Sequence, residues 1–257
     1  EIGIAMSETI VTAAVLVIGD EILSGRTQDT NTNAIARFLG ALGIDLREVR
    51  VVGDVQDEIA AALNALRARY SYVFTTGGIG PTHDDITADA VAKAFGVGID
   101  YHPDAMALLA ARYKPGEFTE ARKRMARIPF TATLVRNPVS TAPGFQIGNV
   151  FVMAGVPMIM RAMLEDIAPR LTRGQVVHAA TISTRMAEGR IAAGLAKVQA
   201  GHASVAIGSY PFYREDGFGT QLVVRGRDSA AVEEAAEAVE AMVRAEGGIP
   251  ERIGNQS

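Results

Sequence analysis

From Ala13 to Gly19 the chain reads AAVLVIG, an unbroken apolar run with β-branched residues. A run without alternation is the pattern of a strand buried on both faces, as in a parallel sheet covered by helices. A polar stretch, DEILSGRTQDTNTN, follows and reads as a loop. Ile35, Phe38, Leu39 and Leu42 then recur on one helical stripe, with Gly43 where a helix would close. The same order repeats. REVRVVGD reads as a second strand, Ile59, Leu63, Leu66 and Tyr70 mark the core face of a second helix, and YVFTTGG reads as a third strand. A further helix is expected from about Ile86 to Phe95. Strands alternating with helices imply parallel βαβ units, whose ligand sites lie beyond the carboxyl ends of the strands. Asp20, Asp54 and the stretch from Gly77 to Asp85 all fall at such ends.

Residues 103–127 read as an exposed helical stretch carrying Arg112, Lys114, Arg122, Lys123, Arg124 and Arg127, either a solvated face or a clamp for a ligand phosphate. NPVSTAPGF reads as a loop and NVFVMAG as a strand, and a helix starts near Pro157 and closes by APRL. After Thr172 the order changes to βαββα: VVHAATIS, a helix from Ala187 to Gln199, ASVAIGSY, TQLVVRGR, and a helix from Ser229 to Ala245. SYPF at Ser209–Phe212 reads as a loop at a hairpin edge. The expectation is an α/β fold. Residues 12–172 should form a three-layer, mostly parallel sheet domain, and residues 173–250 a small α+β domain with an antiparallel pair.

The net charge of −4 gives no electrostatic footprint for nucleic acid or an acidic membrane surface, so a small molecule is the expected partner. With no cysteine in 257 residues, disulfides, thiolate zinc sites and cysteine nucleophiles are excluded, and a cytoplasmic setting fits. His83, His102, His178 and His202 show no metal-ligand spacing, and no apolar run reaches the ~20 residues of a membrane span. The EIGIA segment before Met6 has no basic region or cleavage site and is not expected to take part in the fold.

The chemistry concentrates in TTGGIGPTHDDIT, Thr75 to Thr87, where a glycine-rich turn meets two adjacent acids, Asp84 and Asp85. Glycines let backbone N–H groups approach a phosphate, but carboxylates repel one unless a cation lies between. No lysine followed by Ser or Thr stands near Gly77, Gly78 or Gly80, and His83 replaces the last glycine of a dinucleotide fingerprint. Zinc-protease, EF-hand and hydrolase-elbow motifs are also missing. Each candidate has a structural alternative. The glycines could simply turn a strand into a helix, while Asp20, Asp54, Asp84, Asn31 and Asn33 could cap helices. Asp85 follows a residue already able to cap, which favours a functional role for it.

Taken together, GDEILSG with NTN, Asp54, TTGGIGPTHDDIT and NPVSTAPGF resemble the molybdopterin-binding domain of the MogA/MoaB proteins, and most closely the competence/damage-inducible protein A (CinA-like) family. The likeness covers roughly residues 12–170, and the βαββα segment to about 245 is similar to the small domain that follows in that family. MAGVP at 153–157 departs from the family's leucine-proline-glycine turn. The amide-hydrolysing domain of full-length CinA proteins has no counterpart in these residues, so deamidation is not expected of them.

The resemblance implies metal-dependent hydrolysis of a nucleotide pyrophosphate of the ADP-ribose or FAD type. Asp54 and Asp85 would be catalytic, and Asp20, Asp54 and Asp85 would hold magnesium, manganese or cobalt. It also implies ligand or phosphate contacts from Gly19, Glu21, Asn31, Asn33, Thr76, Gly77, Gly78, Gly80, Pro81, Thr82, Ser140, Pro143 and Gly144, and a homo-oligomer. The alternatives are molybdopterin and nucleotide binding with adenylyl transfer in molybdenum-cofactor synthesis, and a non-catalytic ligand-binding protein.

Overall fold

The structure, a computed structural model, describes residues 10–114, 116–215 and 217–254, so the EIGIA segment lies outside it. The chain divides into two compact units, the first ending at Gly174 and the second beginning at Gln175. The first unit starts with β1 (Thr12–Ile18), a short α1 (Asp20–Leu23), α2 (Asn31–Ala41), β2 (Asp45–Val52), α3 (Gln56–Arg69), β3 (Tyr72–Thr76) and α4 (Thr87–Phe95). It continues through β4 (Ile99–Tyr101), α5 (Pro103–Arg112), α6 (Glu120–Lys123), β5 (Arg127–Pro129), β6 (Thr133–Val135), β7 (Gly144–Ile147), β8 (Val150–Met153) and α7 (Pro157–Ile167).

Its main sheet has the order β2-β1-β3-β8-β7-β6, with β2, β1, β3 and β8 parallel and β7 and β6 antiparallel. The apolar run of β1 explains the layering. Ala14, Leu16 and Ile18 pack with Ile59, Leu63, Leu66 and Val91 of α3 and α4. Ala13, Val15 and Val17 pack with Ile35, Leu39, Met160 and Met163 of α2 and α7. Alternate residues of one strand thus feed cores on both faces of the sheet, which is why no alternation is visible in its sequence. Each fully buried leucine or isoleucine contributes about 1.5–3 kcal/mol.

Several elements differ from expectation. The polar stretch after β1 contains α1, and residues 103–127 are not one helix: α5 ends at Arg112, and Arg127 opens β5, which pairs antiparallel with β4. Arg127 is no clamp for a ligand, because both its terminal nitrogens donate to the Asp89 carboxylate, at 2.9 and 2.8 Å. Gly144 is not loop but the first residue of β7. It lies so close to β8 that a side chain there would strike the Val152 carbonyl.

The second unit comprises β9 (His178–Thr184), α8 (Glu188–Gly201), β10 (Ala206–Arg214), β11 (Gly217–Gly226), α9 (Ser229–Ala245) and β12 (Glu251–Ile253). Its sheet is antiparallel throughout, ordered β10-β11-β9-β12, and therefore larger than the expected pair. Ser209–Phe212 sits inside β10 instead of forming a loop. Ile182, Leu222 and Val224 pack against Val232, Ala236 and Val239 of α9. Among the described residues no helix is long and apolar enough to cross a membrane.

Candidate phosphate and metal site

Register fixes the site. Ile18 pairs with Val52, Val17 with Thr76, and Thr76 with Met153, so β1, β2, β3 and β8 all end on one rim. Gly19 and Asp20 leave β1, Asp54 follows β2, Gly77 follows β3 and Gly155 follows β8 at that rim.

The glycine turn has a shape only glycine can supply. Gly77 has φ 109°, and a Cβ on it would stand 2.1 Å from the Ile18 carbonyl oxygen. Gly78 has φ 66°, and its Cβ would stand 2.2 Å from Thr87 Oγ1. Thr87 is buried and ties the turn to the start of α4: its hydroxyl donates to the Gly77 carbonyl at 3.0 Å and its N–H to the Gly78 carbonyl at 3.0 Å. With those carbonyls engaged, no hydrogen bond within the described residues takes up the N–H of Gly78, Ile79 or Gly80. A run of unused backbone N–H groups is the chemistry of an anion cradle.

Carboxylates crowd the same rim. Asp20 and Asp54 are linked reciprocally, the Asp20 N–H donating to Asp54 Oδ2 at 2.9 Å and the Asp54 N–H to Asp20 Oδ1 at 3.3 Å. Partial burial raises the Asp54 carboxyl above its ordinary value, and repulsion from Asp20, Glu21 and Asp84 adds to this, while the bond from the Asp20 N–H opposes it. Asp85 closes the loop: its Oδ2 accepts the Thr82 N–H at 2.8 Å and the Thr82 hydroxyl. Neither acid caps α4, whose N-cap is Ile86 with no side-chain bond. Asp54 does not cap α3, whose N-cap is Val55; its carboxylate instead accepts the first N–H of α1.

Among the described residues no group of three His, Cys, Asp or Glu side chains stands ready to hold a metal. The donors present are the Asp20–Asp54 pair. Such a pair suits a magnesium-like ion, which takes one or two carboxylates and completes its shell with water and ligand phosphate.

Asn31 is 6% exposed, and its Nδ2 donates to Thr76 Oγ1 at 2.8 Å and to the Gly155 carbonyl at 2.7 Å. Its Oδ1 is buried with no partner, an acceptor lacking a donor beside the small crevice formed with Glu21, Thr76 and Gly77. Asn33 is exposed and lines neither cleft of the rim. Neither asparagine caps its helix. Asp29 does so, with Oδ1 accepting the N–H groups of Asn31 at 2.9 Å and Thr32 at 3.2 Å.

A cleft of about 540 Å³ opens on the rim, lined by Glu21, Gly77, Gly80, Pro81, Asp85 and Ser140 among others. Ser140 is placed by Asn137, whose Nδ2 donates to Ser140 Oγ at 2.6 Å and whose Oδ1 accepts the N–H groups of Val139 at 3.0 Å and Ser140 at 3.1 Å. Pro143 lies behind the loop, in a crevice shared with Gly80 and Arg124. Sequence reasoning missed Thr87, Asn137 and Asp29. The Asn-Pro dipeptide at 137 is a turn signal that could have flagged Asn137.

Comparison with known proteins adds to this geometry. Residues 14–173 match the family model described as "Probable molybdopterin binding domain", and residues 176–251 match "FAD synthase, middle domain". Protein TV0584 of Thermoplasma volcanium is 38% identical over 163 residues, covering 62% of this chain and 64% of that protein. A CinA-like protein of Syntrophotalea carbinolica is 38% identical over 165 residues, covering 62% of this chain and 40% of its own length. The match thus spans less than two thirds of either curated relative. The crystal structure of the protein CinA from Thermoplasma acidophilum superposes with a TM-score of 0.60 at 36% identity, covering 63% of this chain and 98% of that one.

Proposed function

The chain belongs to the "Probable molybdopterin binding domain" family over residues 14–173, and from that premise we propose that it hydrolyses the pyrophosphate link of a nucleotide such as ADP-ribose or FAD, using a divalent metal. The observation that carries this reading is the gathering on one rim of the unused N–H groups of Gly78, Ile79 and Gly80 and the mutually repelling acids Asp20 and Asp54. The likeness of residues 176–251 to the middle domain of an FAD synthase also supports a nucleotide ligand.

In this reading the loop N–H groups bind phosphate oxygens, and Asp85 keeps the loop closed by holding Thr82. Asp20 and Asp54 would hold magnesium, manganese or cobalt. When bound, such an ion neutralises phosphate charge and lowers the pKa of a water, which is what cleavage of a phosphoanhydride needs. Asn31 Oδ1 accepts from a ligand hydroxyl or amine, the donor it lacks inside the protein. Asp54 must be ionised to bind a cation, so activity should fall as pH drops through its raised pKa. The family resemblance further supports a homo-oligomer, which light scattering at micromolar concentration would test; a monomer would contradict it.

The family description favours a second reading, in which the same rim binds molybdopterin and nucleotide for adenylyl transfer. Incubating the protein with ADP-ribose, with FAD, and with ATP plus molybdopterin, with and without metal, separates the readings. AMP and ribose 5-phosphate released from ADP-ribose only with metal is the expected result. Adenylylated molybdopterin would establish the second reading, and binding without turnover would make the chain a ligand-binding protein.

A further inference from the structure

A larger cavity, about 1030 Å³, is lined by Arg136, Asn137, Pro138, Thr141 and Pro143 of the same 136–143 loop that borders the phosphate cleft. One wall is a face of α5 in which Asp104, Ala107, Leu108 and Ala111 recur at helical spacing, and the facing wall includes Leu134 and Pro138. Leu108 is 45% exposed there, a large apolar side chain left uncovered on a concave surface. Polar groups stand at the rim of this apolar slot. His102 Nδ1 is buried with no hydrogen-bond partner, and the Arg136 side chain has no ion pair or hydrogen bond among the described residues. The Arg136 backbone N–H is fixed to Asp166 Oδ2 at 3.0 Å, which anchors that residue at the cavity edge. Thr141, also in the lining, holds a left-handed φ of 64°, a strained conformation that a β-branched residue adopts only when its surroundings impose it.

The cavity and the phosphate cleft share Asn137, and Pro143 lines both the cavity and the crevice behind Gly80. A ligand held by phosphate at the glycine loop therefore has a neighbouring chamber within reach of its other end. Lipid-like chains would leave Arg136 and His102 unused, whereas a bare anion would leave the Leu108 and Leu134 walls wet. A nucleoside satisfies both, since its heterocycle has apolar faces and a polar edge, and its sugar carries hydroxyls and a phosphate link. We propose that this cavity is the binding site for the nucleoside half of a dinucleotide pyrophosphate whose phosphates sit on the Gly77–Gly80 loop. The inference rests on the phosphate site of the preceding subsection and assigns the selectivity for a two-part substrate to Leu108, His102 and Arg136.

Calorimetric titration of the whole chain with ADP-ribose and with ribose 5-phosphate, in wild type, Leu108→Glu and Ala107→Glu, tests it. Both substitutions lie on an exposed helix face, so the variants should melt with the wild type. Wild type should bind ADP-ribose more tightly than ribose 5-phosphate. Each variant should lose about tenfold or more in ADP-ribose affinity while its ribose 5-phosphate affinity stays within about twofold. Unchanged ADP-ribose affinity in both variants overturns the inference, and so does an equal loss for both ligands. Wild type binding ADP-ribose no better than ribose 5-phosphate also overturns it. If wild type binds neither ligand, the proposed function fails as well, which is a separate and recognisable outcome.

Discussion

The rim of the first unit and the face of α9 and β12 in the second treat their acidic residues in opposite ways, although elsewhere in the first unit acids such as Asp89 are paired. In the second unit, Arg252 donates to both oxygens of Glu233 and to Glu240, which Arg244 also contacts at 3.0 Å. The Arg252 bond is the main reason the Glu240 carboxyl titrates below its ordinary value. Asp228 caps α9, accepting the N–H groups of Ala230 at 2.8 Å and Ala231 at 3.4 Å. On the rim of the first unit, none of Asp20, Glu21 and Asp54 pairs with a lysine or arginine among the described residues, and Asp54 titrates above its ordinary value. Acids that find partners inside the protein hold the fold together. Acids crowded without partners beside a loop of unused N–H groups cost stability, a cost that persists where an external cation and phosphate supply the missing partners.

The contrast breaks most visibly at Asp54. Asp54→Asn keeps the acceptor for the Asp20 N–H but removes the charge, and metal-dependent hydrolysis should fall by about a hundredfold or more in a steady-state assay. Without metal the same variant should melt no lower than wild type, and slightly higher at neutral pH. The sign follows from linkage. A carboxyl whose folded pKa is raised contributes stability below its unfolded value, and that contribution is lost as pH rises through the folded value. The melting-temperature gap between variant and wild type should therefore close as pH is lowered through that window.

A smaller effect is expected at Gly78, where Ala would strain a left-handed backbone and strike Thr87 Oγ1. Gly78→Ala should lower stability by about 1–3 kcal/mol in denaturant unfolding and weaken phosphate binding with it. Asp228→Ala should cost about 1 kcal/mol through loss of the α9 cap, with hydrolysis per folded molecule unchanged. Glu240→Gln should give the smallest effect, a slight loss of thermal stability at neutral pH. A carboxyl with a lowered folded pKa contributes stability above its unfolded value of 4.5, and the contribution is lost as pH falls through the folded value. Asp54 and Glu240 should thus show opposite pH slopes in the same thermal-melt series, and equal slopes would dissolve the contrast between the two sites.

What could be read from the sequence follows the range of the interactions involved. The doubly buried β1, and helices α2, α3, α4 and α9, carry their own periodicity and were legible. Strands β4 to β7 and β12 have three or four residues each, too few to show a period, and β4, β5 and β12 also pair with partners far away in sequence, so their local pattern said little. At the site, the positions of Asp20, Asp54 and the glycine loop followed from the rule that ligands bind beyond strand ends. The closure of the loop did not follow, because the Asp85–Thr82 contacts and the grip of Thr87 on Gly77 and Gly78 from the next helix have no local pattern to announce them. Arg127 looked like any other charge in a basic stretch until β4 and β5 placed it against Asp89.

The most direct test is calorimetric titration of magnesium into the protein in the presence of a non-hydrolysable ADP-ribose analogue, comparing wild type with Asp54→Asn and Glu240→Gln. If the unpaired acids of the rim are reserved for a cation bridging to phosphate, wild type and Glu240→Gln should bind magnesium stoichiometrically, and Asp54→Asn should lose that binding while remaining folded. Equal magnesium binding by wild type and Asp54→Asn, or no magnesium binding by wild type with the analogue bound, would contradict the account.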